Sequence, residues 1–106
     1  MNKYILTIGK NHKDLKKQVL DDDDILNIIN INLNNHKLYD YSITPCVGYF
    51  THKDGTRIIE NSIQILIVSD KKIKNTILKT IPDLKNGLSQ ECIMFQVEEN
   101  QDIDFI

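Results

Sequence analysis

The chain has 106 residues, 13 basic and 15 acidic, for a net charge of −2. That length suits one domain, spanning 1–106, and buries roughly two thirds of the unfolded surface, enough for a core without staples. With 41% hydrophobic and 26% charged residues the chain is too apolar for intrinsic disorder, and its charges are too evenly spread for the basic face of a nucleic-acid binder. No apolar run is long enough to span a bilayer, and Met1 leads almost directly into a strand pattern, so a cytoplasmic location is expected. Cys46 and Cys92 lie far apart with no metal-ligand spacing and are expected to be free thiols in half-buried strands. Arg57 is the lone arginine among many lysines, and isoleucine and asparagine are abundant, the bias that AT-rich codons produce.

Lys3 to Gly9 is a short run of strand-favouring residues and predicts a buried first strand. Lys10 to Leu20 is polar and predicts a loop with a helical turn capped by Asn11. Asp21 to Asp24 then precede Ile25, Ile28, Ile29 and Leu33, the stripe of an amphipathic helix that stops at Asn34-Asn35. Aspartates suit its first turn because they accept hydrogen bonds from unpaired N–H groups and oppose the helix dipole. Tyr39 to Phe50 reads as a strand broken by Pro45 and Gly48, hence a bulged edge strand. Thr51 to Thr56, containing His52, Lys53, Asp54 and Gly55, reads as a hairpin loop. Arg57 to Ser69 is the strongest strand, with Ile59, Ile63, Ile65 and Ile67 on one side and Glu60, Ser62 and Gln64 on the other. Asp70 predicts the cap of a second helix with the stripe Ile73, Ile77, Ile81 and Leu84. Pro82 is expected to end or kink that helix, and Gly87 to stop it. Glu91 to Glu98 alternates as a fourth strand, and 99–106 is an acidic tail, either frayed or docked.

The order βαββαβ predicts an α+β, ferredoxin-like sandwich: a four-stranded antiparallel sheet with two helices on one face. The first and third strands, the most apolar, should be central, and the strand holding Pro45 should be an edge.

Motifs for chemistry are sparse. The aspartate run lacks the alternating ligands, glycine turn and distal glutamate of a calcium loop, so it is expected to cap the helix and hold no metal. His12, His36 and His52 fall in loops without a second ligand at helical spacing. Gly9-Lys10-Asn11-His12-Lys13 follows a strand as an anion loop would, but without the glycine spacing of a P-loop. Ser42, Thr44, Thr51 and Ser62 have no visible base partner. The arginine-bearing loop of acylphosphatases, the acidic first-strand end of Cas2-like nucleases, the stacking aromatics of RNA-recognition motifs and the long central loop of PII-like proteins are all missing.

One positive likeness remains. Gly48-Tyr49-Phe50-Thr51-His52-Lys53-Asp54-Gly55-Thr56, followed by Ile59-Glu60-Asn61-Ser62, resembles the hairpin of small uncharacterised proteins of phages and mobile elements in low-GC bacteria, themselves similar to ferredoxin-like sandwiches. The resemblance implies a phage or prophage origin and no particular activity.

These observations lead to the expectation of a non-enzymatic protein-binding module with no catalytic residues and no cofactor. It should self-associate as a homodimer through the uncovered sheet face, with Ile5, Glu60, Ser62, Gln64, Leu66 and Met94 at the contact. The partners would be a second copy and a host protein, as for an inhibitor of a host defence system of the anti-CRISPR kind. The alternative is a dimeric small-molecule sensor domain. A third reading is an enzyme acting at the first-strand loop through His12, Lys13 or His52.

Overall fold

In the computed structural model, which describes residues 1–51 and 54–106, the chain runs β1 (Asn2–Gly9), α1 (Asp22–Asn35), β2 (Ser42–Thr51), β3 (Arg57–Ser69), α2 (Lys74–Gly87) and β4 (Met94–Glu98). The strands form one antiparallel sheet in the order β2-β3-β1-β4, so the two most apolar strands are central and Pro45 is on an edge. This is the expected ferredoxin-like sandwich. Registers such as Leu6 opposite Ile65 and Phe95 fix which residues share a face. Tyr4, Leu6, Ile8, Ile63, Ile65 and Ile67 turn toward the helices and form one core with Ile25, Ile29, Leu33, Ile77 and Leu84. Ile28 and Phe95 pack at its margin. Tyr4 is fully buried, and its hydroxyl accepts from the Ile73 N–H at 3.0 Å, so its polar end is satisfied.

α1 starts as its aspartates require. Asp21 is the N-cap, and its Oδ1 accepts from the Asp24 N–H at 2.8 Å while Asp22–Asp24 fill the first turn. Lys10 Nζ and Gln18 Nε2 each donate to Asp22 Oδ1 at 3.1 Å. The Lys10 bond, then the Gln18 bond and the Lys10 charge, hold this carboxyl below the usual aspartate range.

Four local expectations are corrected, and that for Gly87 as the helix stop holds. α2 begins at Lys74 after Ile73 and has no side-chain cap, so Asp70 lies outside it. Pro82 sits inside α2 without ending it, because the apolar stripe continues through buried Leu84 and Leu88 and holds the last turn against the core. Gly87 closes the helix but also serves packing, since a Cβ there would stand 2.9 Å from Ile28 Cγ2 of α1. β2 carries no bulge, for its pairing with β3 is unbroken from Ser42–Leu66 to Thr51–Arg57. Pro45 lies on an edge strand, where a residue without an N–H is tolerated and the register is kept. β4 begins at Met94, which leaves Cys92 exposed before the strand.

In the hairpin, Asp54 Oδ1 accepts from the Thr56 N–H at 2.9 Å and Gly55 has φ +87°, a conformation that suits glycine. His52 and Lys53 lie outside the described residues. The tail is docked at its start: Met1 and Gln101 exchange two backbone bonds of 2.7 and 2.9 Å, and Asn2 Oδ1 accepts from the Asn100 N–H. Phe105 and Ile106 are exposed. Among the described residues no helix is long and apolar enough to cross a membrane.

Candidate functional site

Strand alternation places Lys3, Ile5, Thr7 and Gly9 of β1, Glu60, Ser62, Gln64 and Leu66 of β3, and Met94 of β4 on the face away from the helices. All six residues expected at a contact surface are therefore on the open face. They spread along the length of that face. Gln64 Nε2 donates to Thr7 Oγ1 at 3.2 Å across the β1–β3 pair, while Ile5 and Leu66 lie on the far side of that bond from Glu60. Ser62 is fully buried and is corrected as a contact residue. The Phe50 ring lies over Gly48, where a Cβ would stand 2.5 Å from Phe50 Cζ and 3.2 Å from Ser62 Oγ. The glycine thus lets the ring fold down over this part of the face.

At the end of the face where β1 stops, a cleft of about 350 Å³ opens. Its floor is Thr7, Gly9 and Glu60. The Glu60 carboxylate lies flat across Gly9, so close that a Cβ would come within 2.6 Å of Glu60 Cδ and Oε2. Only a residue without a side chain permits that approach. Glu60 Oε2 also accepts from the Asn11 N–H at 2.8 Å, which fixes the carboxylate on the cleft floor. Phe50 and Ile58 give one apolar wall and Met94 another.

The basic loop after β1 forms the rim. Lys10 continues the ladder with a 3.0 Å bond from its N–H to the Asn61 carbonyl. Gln90 Nε2 donates to the Asn11 carbonyl at 2.7 Å, and the Lys13 N–H donates to the Ser89 carbonyl at 2.9 Å. The loop is thereby pinned to the α2–β4 connection, which brings Gln90, Glu91 and Cys92 to the rim as well. The turn closes on itself. His12 and Lys17 share a 2.8 Å backbone bond, Lys16 takes φ 57°, and the His12 Nδ1 accepts from the Asp14 and Leu15 N–H groups at 3.1 and 3.3 Å. His12, Lys13 and Lys16 all line the cleft.

The cleft therefore joins a fixed carboxylate, an aromatic wall and a basic rim, a combination suited to a small molecule with a cationic centre, a flat apolar part and an anionic end. Of the residues named for an enzymatic reading, His12 and Lys13 reach it, and His52 is outside the described residues. His36 is elsewhere, joining the helices through a 2.7 Å contact with Asp83. Among the described residues no group of three or more His, Cys, Asp or Glu could hold a metal ion. From sequence, Glu60 is expected at a self-association surface, and Gly9 is expected as a strand end and as the start of a loop resembling an anion loop without P-loop spacing. A glutamate on the polar side of the strand beside a glycine-terminated β1 was the available signal.

This ferredoxin-like fold recurs in solved structures. A phage S-adenosylmethionine (SAM) lyase in complex with S-methyl-5′-thioadenosine superposes with a TM-score of 0.71 and 23% identity, over 92% of this chain and 80% of the lyase chain. The divalent cation tolerance protein CutA from Archaeoglobus fulgidus gives 0.65 and 10% identity, over 97% and 88% of the two chains. The GlnK–ATP complex of B. subtilis gives 0.55 and 12%, over 94% and 84%. No protein-family model matches the chain, and no curated protein matches it.

The expectation of a non-enzymatic module is corrected by these likenesses. A structure that this chain resembles along most of its length is that of an enzyme, so the lack of a catalytic sequence motif does not separate this fold from catalysis. Inhibition of a host defence system gains no support.

Proposed function

We propose that this chain is a phage-type lyase that binds a sulfonium nucleoside, S-adenosylmethionine or a close analogue, in the open-face cleft and releases S-methyl-5′-thioadenosine. The observation that carries the proposal is the Glu60 carboxylate, held over Gly9 by the Asn11 N–H on the floor of a cleft walled by Phe50, Ile58 and Met94. A sulfonium is a compact cation on an otherwise apolar centre, and a fixed carboxylate in a partly desolvated cleft complements it. The fold shared with the phage SAM lyase supports the choice of ligand, and its phage source supports the origin suggested by the Gly48–Thr56 hairpin.

In the reaction, the bond between sulfur and the γ-carbon of the aminobutyrate chain breaks, and sulfur keeps the electron pair as a neutral thioether. The γ-carbon must regain a pair. It comes from the substrate's own carboxylate, closing a lactone, or from the adjacent C–H bond once a base takes a β-proton. Glu60 serves either course, orienting the sulfonium chain in the first and accepting the proton in the second.

Incubation with S-adenosylmethionine followed by mass spectrometry tests the proposal. Release of S-methyl-5′-thioadenosine, lowered at least a hundredfold in Glu60→Gln, is the expected result. Homoserine lactone as co-product assigns Glu60 to orientation, and vinylglycine assigns it to proton removal. Binding without turnover would return the chain to the sensor reading, and no binding would overturn both.

The part of the open face beyond Gln64, with half-buried Ile5, Leu66 and Val68, is where we place self-association. A homo-oligomer formed there would cover apolar surface while leaving the cleft end to the ligand.

A further inference from the structure

The loop after β1 presents to the cleft a rim of hydrogen-bond donors, and we infer that it recognises the amino-acid carboxylate of the ligand. This inference rests on the sulfonium-nucleoside reading and deepens it: Glu60 takes the cation, and the loop takes the anion at the other end of the same chain.

Three residues carry it. His12 lines the cleft, and its Nδ1 is committed to accepting from the Asp14 and Leu15 N–H groups. A neutral ring that accepts at Nδ1 carries its proton on Nε2, so His12 offers the ligand a donor and not a base. Lys13 and Lys16 line the same rim, and neither makes an ion pair among the described residues. Lys10, the other lysine close by, is committed to Asp22 at 3.1 Å and stands outside the rim. The loop does not have to be ordered by the ligand. The Lys13 N–H is bound to the Ser89 carbonyl and the Asn11 carbonyl to Gln90, and the turn that carries Lys16 is closed by the 2.9 Å bond from its N–H to the His12 carbonyl. Holding Lys16 at φ 57° is unfavourable for a residue with a side chain, and the surrounding bonds maintain it. Glu60 on the floor and Glu91 on the α2–β4 side of the rim would repel a carboxylate placed near them, which leaves the side of the rim formed by the loop after β1 as its place.

Two stable thioethers differ by the amino-acid head that carries the carboxylate, and the lysine variants then report on its anionic group. S-Adenosylhomocysteine carries the full amino-acid head, whereas S-methyl-5′-thioadenosine has a methyl group in its place, and neither is cleaved by loss of a sulfonium. Calorimetric titration of both against the parent and Lys13→Gln/Lys16→Gln gives the ratio of their affinities. We expect the parent to favour S-adenosylhomocysteine and the double variant to lose at least ten-fold of that preference. His12→Asn, which keeps an acceptor for the Asp14 and Leu15 N–H groups but removes the imidazole donor, should lower the same ratio several-fold. A ratio unchanged in both variants, with both ligands bound, overturns the inference and leaves the lyase reading standing. Failure of the parent to bind either thioether overturns the lyase reading and the inference with it. The melting temperatures of the variants, expected within a few degrees of the parent, show whether a lost preference reflects the rim or a collapsed loop.

Discussion

Replacing Gly9 with alanine separates the place of this residue in the strand from its place under the carboxylate. An added Cβ would stand 2.6 Å from Glu60 Cδ and Oε2, whereas ordinary contact begins near 3.4 Å. The atoms in the way are the end of a flexible side chain, so the backbone can stay while the carboxylate lifts off the floor of the cleft. Two opposing terms set the stability. Alanine in a strand interior is favoured over glycine by roughly 0.5–1 kcal/mol. The Asn11 N–H loses its 2.8 Å bond to Oε2, which costs about 1–2 kcal/mol at this half-buried position. The net loss is on the order of 1 kcal/mol, a drop in melting temperature of about 4–8 °C for a domain near this size. The effect on turnover should be far larger, because misplacing a positioned group by around an ångström costs on the order of a hundredfold in rate. Thermal melting and mass-spectrometric measurement of S-methyl-5′-thioadenosine on the same sample give both numbers. Parent-like turnover in Gly9→Ala would refute the role given to the Gly9–Glu60 contact. A melting temperature lowered by more than about 20 °C would mean that the glycine serves the fold.

Three further outcomes follow from named contacts. Ile65→Ala, at the fully buried centre of β3, should cost on the order of 2–5 kcal/mol in urea unfolding, and a parent-like midpoint would mean that the sheet faces are inverted. The Asp22 carboxyl should titrate below the usual aspartate range by carbon-detected NMR and move upward in Lys10→Ala. Because its folded value is lowered, its contribution to stability is present above the unfolded-state pKa and fades as pH falls through the folded value. If the chain self-associates through its open face, Gln64→Arg should dissociate it in light scattering, since a symmetric contact meets each new charge twice. An assembly that survives the change would place the contact away from Gln64.

The fold was legible because its signals are local and repeated. Alternation in Arg57 to Ser69, the isoleucine stripes of both helices and the aspartates before Ile25 each specify an element, and only one common topology accommodates their order. The errors fall where tertiary packing overrules a local rule. Pro82 reads as a helix end, yet Leu84 and Leu88 beyond it are buried and hold the last turn in place. Pro45 reads as a bulge, yet an edge strand tolerates a residue without an N–H and the register runs through it unbroken. Asp70 reads as a cap, yet the Tyr4 hydroxyl bonds the Ile73 N–H just before α2, and the helix starts after that anchored residue.

The site was harder to see for a physical reason that applies to any ligand cleft on an open sheet. Catalytic motifs are readable when one turn or helix carries several functional groups at fixed spacing. Here the groups come from four segments of the chain: the end of β1 and its loop, Phe50 on β2, Ile58 and Glu60 on β3, and 90–94 before and within β4. What brings them together is register, with Gly9 beside Ser62 and Thr7 facing Met94. A glutamate on the polar side of a strand then has two readings, a solvated face or a placed carboxylate. Sequence alternation is the same for both. The difference lies in the diagonal neighbour on β1, because a side chain at position 9 would hold the carboxylate off the sheet, and glycine lets it lie down against the Asn11 N–H. On the proposed reading the two uses of the open face do not compete: its polar end around Glu60, shaped by a missing side chain, would hold the ligand, and the apolar stretch past Gln64 would be covered by another copy.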